Sequence, residues 1–277
     1  MTKRRATPAD TADDPKPAEQ VASAAETGTL GKAIALVELV CSAQQPLRFS
    51  DILRLTDQPR GSLHRQLRHL VLEGLLDLSP DGTYTGGLRL LSFASQVWAR
   101  NSARKIAEPH LRRLQELTGE TVHFGVLRGM DIIYLDKLES RQAVRMHSQV
   151  GNASPVYCTG IGKAALSTLE DGTLHRMAEA IRFVRFTPQT LTDPKILLAE
   201  IGTIRVQGFA FDREEHQAGI RCVAASVCAA SRGFVGGISV TAPAFRAQEE
   251  QMQEWVRPLR SIAASIEAEL DVALAPR

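Results

Sequence analysis

The sequence predicts an α+β fold in two units, and three observations carry that prediction. Residues 30–85 read as three helices and a hairpin; from residue 121 a period-2 apolar pattern replaces the helical one; helical text then returns between and after the strands. At about 150 residues per domain, 277 residues leave room for two cores. Hydrophobic residues at 44% and charged residues at 23% are globular values, which exclude a fibre or a wholly disordered chain. No apolar run reaches the roughly 18 residues of a membrane span, and Met-Thr-Lys-Arg-Arg leads into Ala/Asp/Pro/Glu text instead of an apolar signal core. A cytoplasmic protein with no membrane partner is therefore expected.

Residues 1–28 combine Pro8, Pro15 and Pro17 with Ala and Asp and almost nothing large and apolar, the composition of a disordered tail. Leu30, Ile34, Val37 and Val40, widened by Ala33, Leu36 and Cys41, then give a first helix of about fifteen residues. A second, short helix holds Ile52, Leu53 and Leu55, with Ser50 as its expected N-cap and Gln58-Pro59 as its break. The third starts near Arg60. On a helical wheel Leu63, Leu67, Leu70 and Val71 gather on one side and Gly61, Arg65, Arg68 and His69 on the other, and positions 58–70 contain no acid.

Gly74 stops that helix, and Leu75–Leu78, Ser79-Pro80-Asp81-Gly82 and Thr83–Thr85 read as strand, Asp-Gly turn and strand. Three helices and a hairpin in this order describe a winged helix-turn-helix, whose second motif helix enters the major groove of DNA. The net charge of +2 is too small to mark a nucleic-acid binder, so the local basic face carries the expectation. Arg65 is the candidate for a bidentate contact to guanine; Arg60, Ser62 and His64 occupy the first turns, Arg68 suits phosphate, and Thr83 and Tyr84 in the wing are candidates for the DNA backbone or minor groove, with a hairpin tip polar only for solubility as the alternative. A solvated basic face on a helical packing unit is the alternative.

Leu88, Leu91, Phe93, Ala94, Val97 and Trp98 predict a linker helix with a dimerisation face, and Ile106, Leu111, Leu114 and Leu117 a further helix ending near Gly119. Strands follow at 121–127 and 131–138, helices at 160–169, 172–181 and 193–207, strands near 221–229 and 233–241, and a last helix from about 246 to 273. Antiparallel strands with helices gathered around them make a sensor-like domain.

Thr159 can cap a helix whose first turn holds Gly160, Ile161 and Gly162, presenting backbone N–H groups to a carboxylate; glycines that serve only close helix packing are the alternative. Met146 and Tyr157 are candidate walls for such a ligand, with plain core as the alternative. Cys41, Cys158, Cys222 and Cys228 form no Cys-x-x-Cys pair, so no zinc site, disulfide framework or other metal centre is expected. An enzymatic reading would take Cys222 as nucleophile and His216 as base. It lacks any His-Glu-x-x-His or Gly-x-Ser-x-Gly signature, and His216 with its neighbouring acids reads as a surface loop. Gly162-Lys163-Ala164 lacks the Ser/Thr and upstream glycine of a P-loop. No catalytic residue and no cofactor is expected. A DNA-architectural protein with a ligand-free second domain stays open.

The chain resembles the IclR family of bacterial transcriptional regulators from about Leu30 to the last helix. The resemblance rests on Arg60-Gly61-Ser62-Leu63-His64-Arg65-Gln66-Leu67, Thr118-Gly119-Glu120-Thr121-Val122, Ile133-Tyr134-Leu135-Asp136-Lys137-Leu138, Gly160-Ile161-Gly162-Lys163-Ala164, Gly219-Ile220-Arg221-Cys222-Val223 and Gly237-Ile238-Ser239-Val240, in that order. It implies a winged helix-turn-helix DNA-binding domain (29–87), a linker and dimerisation helix (88–104) and a GAF-like effector-binding domain (105–273), assembled as homodimers or homotetramers on double-stranded operator DNA. It also implies that Asp212, Cys222, Ser239 and Thr241 line the pocket and hold a small organic-acid effector. Residues 144–151 with Pro155-Val156-Tyr157-Cys158-Thr159 look most like the KdgR-like branch, which answers to 2-keto-3-deoxygluconate. Two positions depart from the family pattern: Gly160, where an Ala or branched apolar residue is usual, and Thr241-Ala242, where a small residue or Ser-Gly is usual.

Overall fold

A computed structural model of the chain describes residues 28–142, 148–229 and 233–273. The chain divides between Ala99 and Arg100 into two units. The expected tail, and Met146 with it, lie outside the described residues, except that Gly28 opens the first helix.

The first unit holds α1 (Gly28–Ser42), β1 (Leu47–Arg48), α2 (Phe49–Leu55), α3 (Arg60–Leu72), β2 (Leu76–Leu78), β3 (Thr83–Gly86) and, up to its last residue, α4 (Leu88–Arg100), with the strands in order β1-β3-β2. Leu36, Ile52, Leu63, Leu67 and Leu76 meet in one small core. Ser50 does not cap α2. Because β1 pairs with β3, the chain turns straight from Arg48 into helix, and the Asp51 carboxylate accepts the Arg48 backbone N–H at 3.1 Å while Ser50 sits inside the first turn. Pro59 precedes the first turn of α3, and Gly74, at φ +67°, lets the Leu75 N–H reach back to the Leu70 carbonyl at 2.9 Å. In the wing turn Asp81 accepts from the Thr83 N–H and hydroxyl at 3.2 and 2.8 Å, and Gly82 takes φ +84°.

No residue of α4 is buried: Leu88, Leu91, Phe93, Val97 and Trp98 are all exposed.

The second unit comprises α5 (Ser102–Thr118), β4 (Thr121–Arg128), β5 (Asp131–Leu138), β6 (Ala153–Pro155), α6 (Gly160–Leu166), α7 (Asp171–Ala180), α8 (Pro194–Gln207), β7 (Ala210–Arg213), β8 (Ile220–Ala229), β9 (Phe234–Pro243) and α9 (Glu249–Ala273). Caps mark its helices: Asn101 accepts the Arg104 N–H at 2.9 Å, Gly119 closes α5 at φ +69°, and Asp193 accepts from Lys195 and Ile196 ahead of Pro194. Six strands in the order β6-β5-β4-β9-β8-β7 pair antiparallel throughout.

Period-2 alternation gives this sheet two apolar faces. Val122, Phe124, Val223, Ile238 and Val240 point to α5 and α9, where Leu111, Leu114, Leu259 and Ile266 complete a core. Ile132, Ala210 and Ala224 face α6, α7 and α8, with Ile161, Leu166, Leu174 and Leu197. The sequence reading lacks β1, β6 and β7, which at 2, 3 and 4 residues are too short to show a period. Among the described residues no helix is long and apolar enough to cross a membrane.

Candidate functional site

In the first unit α3 is amphipathic as its sequence requires. Leu63, Gln66, Leu67 and Leu70 are buried, and Arg60, His64, Arg65 and Arg68 are exposed, with Ser62 half-buried. Gly61, Arg65 and Arg68, at i, i+4 and i+7, share the outer face. Phe49, which the sequence reading passed over, organises the helix start: the Arg60 guanidinium lies 5.4 Å from its ring centroid and the His64 ring meets it edge-on at 5.9 Å.

Tyr84 corrects an expectation. It is the inward residue of the central strand β3, between Thr83 and Thr85, and packs into the core of the first unit; burial pushes its phenol up and removes it from the wing surface.

In the second unit one cavity of about 270 Å³ opens on the α6 side of the sheet. Register explains its walls. Asp212 stands opposite Cys222, Cys222 opposite Thr241, and His123 opposite Ser239, so adjacent strands β7, β8, β9 and β4 present a continuous polar strip. Above it lies the start of α6. Thr159 is the N-cap, accepting the Gly162 N–H at 3.3 Å and donating to the Pro155 carbonyl at 2.8 Å. A Cβ on Gly160 would stand 2.6 Å from the Cys222 sulfur, so glycine is what lets α6 approach β8 this closely. Gly160, Ile161, Asp212, Cys222, Ser239 and Thr241, widely separated in sequence, all line this cavity.

Tyr157 does not line it. Its hydroxyl donates to the Val184 carbonyl and accepts the Val184 N–H, both at 2.8 Å, and its ring packs edge-on against Phe183, which makes it core on the far side of the Thr159 turn. The aromatic wall is Tyr134 of β5, whose phenol burial pushes up to about 12.

Beside it His123, also absent from the sequence reading, bridges the site. One ring nitrogen lies 2.7 Å from the Ser148 hydroxyl and the other 3.4 and 3.3 Å from Ser239 and Thr241. Burial, with the Lys137 charge, brings it down to about 3, so it is a neutral imidazole able to give one hydrogen bond and take another. A lone histidine at an inward position between Val122 and Phe124 was its only sequence signal.

His216 and its acidic neighbours are not a surface loop. His216 lines the cavity, with its ring edge-on to Phe186 at 5.0 Å, and burial holds it below the usual imidazole range. Asp212 accepts the Glu215 N–H at 2.7 Å, which closes the tight turn that carries Glu214 at φ +68°. Burial and the Glu215 charge push Asp212 up to about 7, against the pull of backbone N–H groups and Lys163. Glu215 is itself buried and pairs with the fully buried Lys163 at 2.6 Å, and Lys163 also reaches Glu200 at 3.1 Å. Burial, then Asp212, pushes the Cys222 thiol up, the opposite of an activated nucleophile.

The comparisons match both units. A model of the IclR helix-turn-helix domain covers residues 29–80, and one described as bacterial transcriptional regulator IclR C-terminal covers 96–268. The chain is 28% identical over 236 residues to the HTH-type transcriptional regulator XynR of Escherichia coli (85% of this chain, 94% of the relative). It is 32% identical over 187 residues to KdgR of the same organism (68% and 71%). The crystal structure of the Thermotoga maritima IclR superposes with a TM-score of 0.68 at 29% identity, covering 88% of this chain and 98% of that one. The protein belongs to the IclR family: it is a DNA-binding transcriptional regulator, not an enzyme, with an N-terminal helix-turn-helix and a C-terminal effector-binding domain.

Proposed function

We propose that the cavity of the second unit senses a small sugar or keto acid, with 2-keto-3-deoxygluconate as the first candidate, and that its occupancy modulates operator binding by the first unit. The observation that carries this reading is the cavity itself, a polar strip of hydroxyls, a neutral imidazole and one carboxylate closed by Ile161 and Ile220. Asp212, Ser239 and Thr241 hydrogen-bond the ligand, Cys222 and Gly160 set the depth, and Ile161 packs on its carbon chain. On the DNA side Arg65 reads a guanine edge, Arg60, Ser62 and His64 follow it into the groove, and Arg68 holds phosphate.

The domains run 29–87, 88–104 and 105–273. The exposed apolar face of α4 pairs two chains, as a homodimer or a pair of dimers, in the cytoplasm. A coupling of about 1–3 kcal/mol between effector and DNA suffices to change occupancy roughly 5–150-fold.

The test is fluorescence anisotropy of the full chain on DNA from upstream of its own gene, against scrambled DNA at fixed salt, with and without 2-keto-3-deoxygluconate. Preferential binding that shifts with the sugar acid supports the reading; preference without a shift removes this effector. In the same assay Arg65→Ala should weaken operator binding by about 1–3 kcal/mol and leave effector affinity unchanged. Equal operator affinity of the two proteins removes Arg65 from the readout.

A further inference from the structure

The cavity presents an electrostatic problem to an acid. Among the described residues none of its walls is Lys or Arg, and one of them is Asp212. The nearby cation, Lys163, is held by buried Glu215 and half-buried Glu200, so the cluster of Asp212, Lys163, Glu200 and Glu215 already carries three carboxyl groups for one ammonium. The other groups bearing on Asp212 bring no positive charge: Cys222 from β8, Cys158 ahead of α6, Tyr134 from β5 and His216 from its own turn. A second anion placed in this space meets a like charge in a poorly solvated site, which is disfavoured unless one of the two carboxylates is neutralised.

Building on the organic-acid reading of this cavity, the geometry points to proton-linked recognition: the effector carboxylate enters together with one proton from solvent, which resides on Asp212, and the neutral carboxyl donates a hydrogen bond to the effector anion. The balance is one ligand anion plus one proton taken up per site, with no bond broken in the ligand. Asp212 suits the task because only a modest change is asked of it. Burial and Glu215 already bring its carboxyl up to about 7, and its turn-closing bond from the Glu215 N–H needs only an acceptor oxygen, which the neutral carboxyl retains. Hydroxyls of Ser239 and Thr241 and the neutral His123 supply the remaining contacts without adding charge.

The consequence is a regulator that binds its acid more tightly as the cytosol acidifies. With one proton taken up, affinity should fall roughly tenfold per pH unit above neutrality, or roughly 30-fold between about pH 6 and about pH 8.5.

Calorimetry of the full chain with pyruvate and with 2-keto-3-deoxygluconate, at both pH values and in buffers of different ionisation enthalpy, reads the affinity and the proton count together. Asp212→Asn imitates the neutral carboxyl in shape and in donor capacity; it should bind both acids at the higher pH as tightly as the natural protein does at the lower one, with no proton uptake. Ala153→Trp, at an exposed position on the cavity mouth, should block both proteins, and a thermal melt of each variant confirms that it is folded. Affinity independent of pH, weaker binding by Asp212→Asn, or no binding of either acid at either pH overturns the proposal. A pH-independent affinity that Ala153→Trp still abolishes leaves the cavity as the effector site and points to a cation brought from elsewhere. Binding that Ala153→Trp leaves untouched removes the cavity assignment as well.

Discussion

Lys163→Met should destabilise the effector-binding unit by about 3–5 kcal/mol at neutral pH, although the new side chain replaces all of the old stem and lacks only the terminal ammonium. Lys163 is fully buried in α6, and its ammonium meets Glu215 at 2.6 Å and Glu200 at 3.1 Å. Burial by itself pulls this ammonium down, but Glu215 and then Glu200 overcome that and hold it above the ordinary lysine range. Removing the cation leaves Glu215, whose second carboxylate oxygen has no hydrogen-bond partner, charged in a space shared with Asp212.

The loss should shrink as pH falls. Burial already raises the Glu215 carboxyl against the pull of Lys163; without the lysine it rises further above its unfolded value. The folded variant therefore binds more protons than its unfolded chain between those two values, and lowering the pH through that window stabilises it relative to the natural protein. Chemical denaturation at several pH values reads this directly, and the double variant Lys163→Met, Glu215→Gln should recover most of the deficit. A Lys163→Met protein as stable as the natural one at neutral pH would show that the cluster is not held by charge pairing.

Leu67→Ala should unfold the DNA-binding unit while the effector unit stays intact. Leu67 is fully buried on the inner face of α3, packed with Leu36, Ile52, Leu63 and Leu76 in a core of nine buried side chains. Truncating such a leucine costs about 2–5 kcal/mol. That is comparable with the roughly 3–5 kcal/mol a unit of this size obtains from its core. Arg65 and Arg68, the proposed DNA contacts, stand on the opposite face of the same helix, so operator binding should be lost although neither side chain is changed. Scanning calorimetry should show the transition of the small unit displaced by about 4–8 °C per kcal/mol and that of the large unit unmoved. Operator binding at natural strength would mean that α3 is held by something other than this core.

Much of the fold was legible because most elements announce themselves locally. The apolar stripe of α3, the Asp-Gly wing and the alternation of β4, β5, β8 and β9 are each written within about ten consecutive residues, and their spans match the structure closely. Caps were readable where the side chain bonds within three residues, as at Thr159, and misread at Ser50 because the helix start was set by the pairing of β1 with distant β3. The two misplaced tyrosines share one cause. Both carry a polar tip suited to a ligand, yet the Tyr157 tip meets the backbone of Val184, 27 positions away, and Tyr84 turns inward because β3 is flanked by β1 and β2.

What the sequence determined by itself is the order and type of the elements and the basic outer face of α3; the resemblance added Asp212, Cys222, Ser239 and Thr241, which the fold brings to one cavity, whereas Tyr157, read from its residue type, is core. Only the tertiary structure decided which polar groups share one space. His123 joins Ser239 across 116 positions, and Lys163 joins Glu215 across 52. Their proximity, and with it the charge state of the cavity, follows from strand register and from the burial of α6 against the sheet. Both are set by the summed packing of the whole unit, which no local pattern of residues encodes.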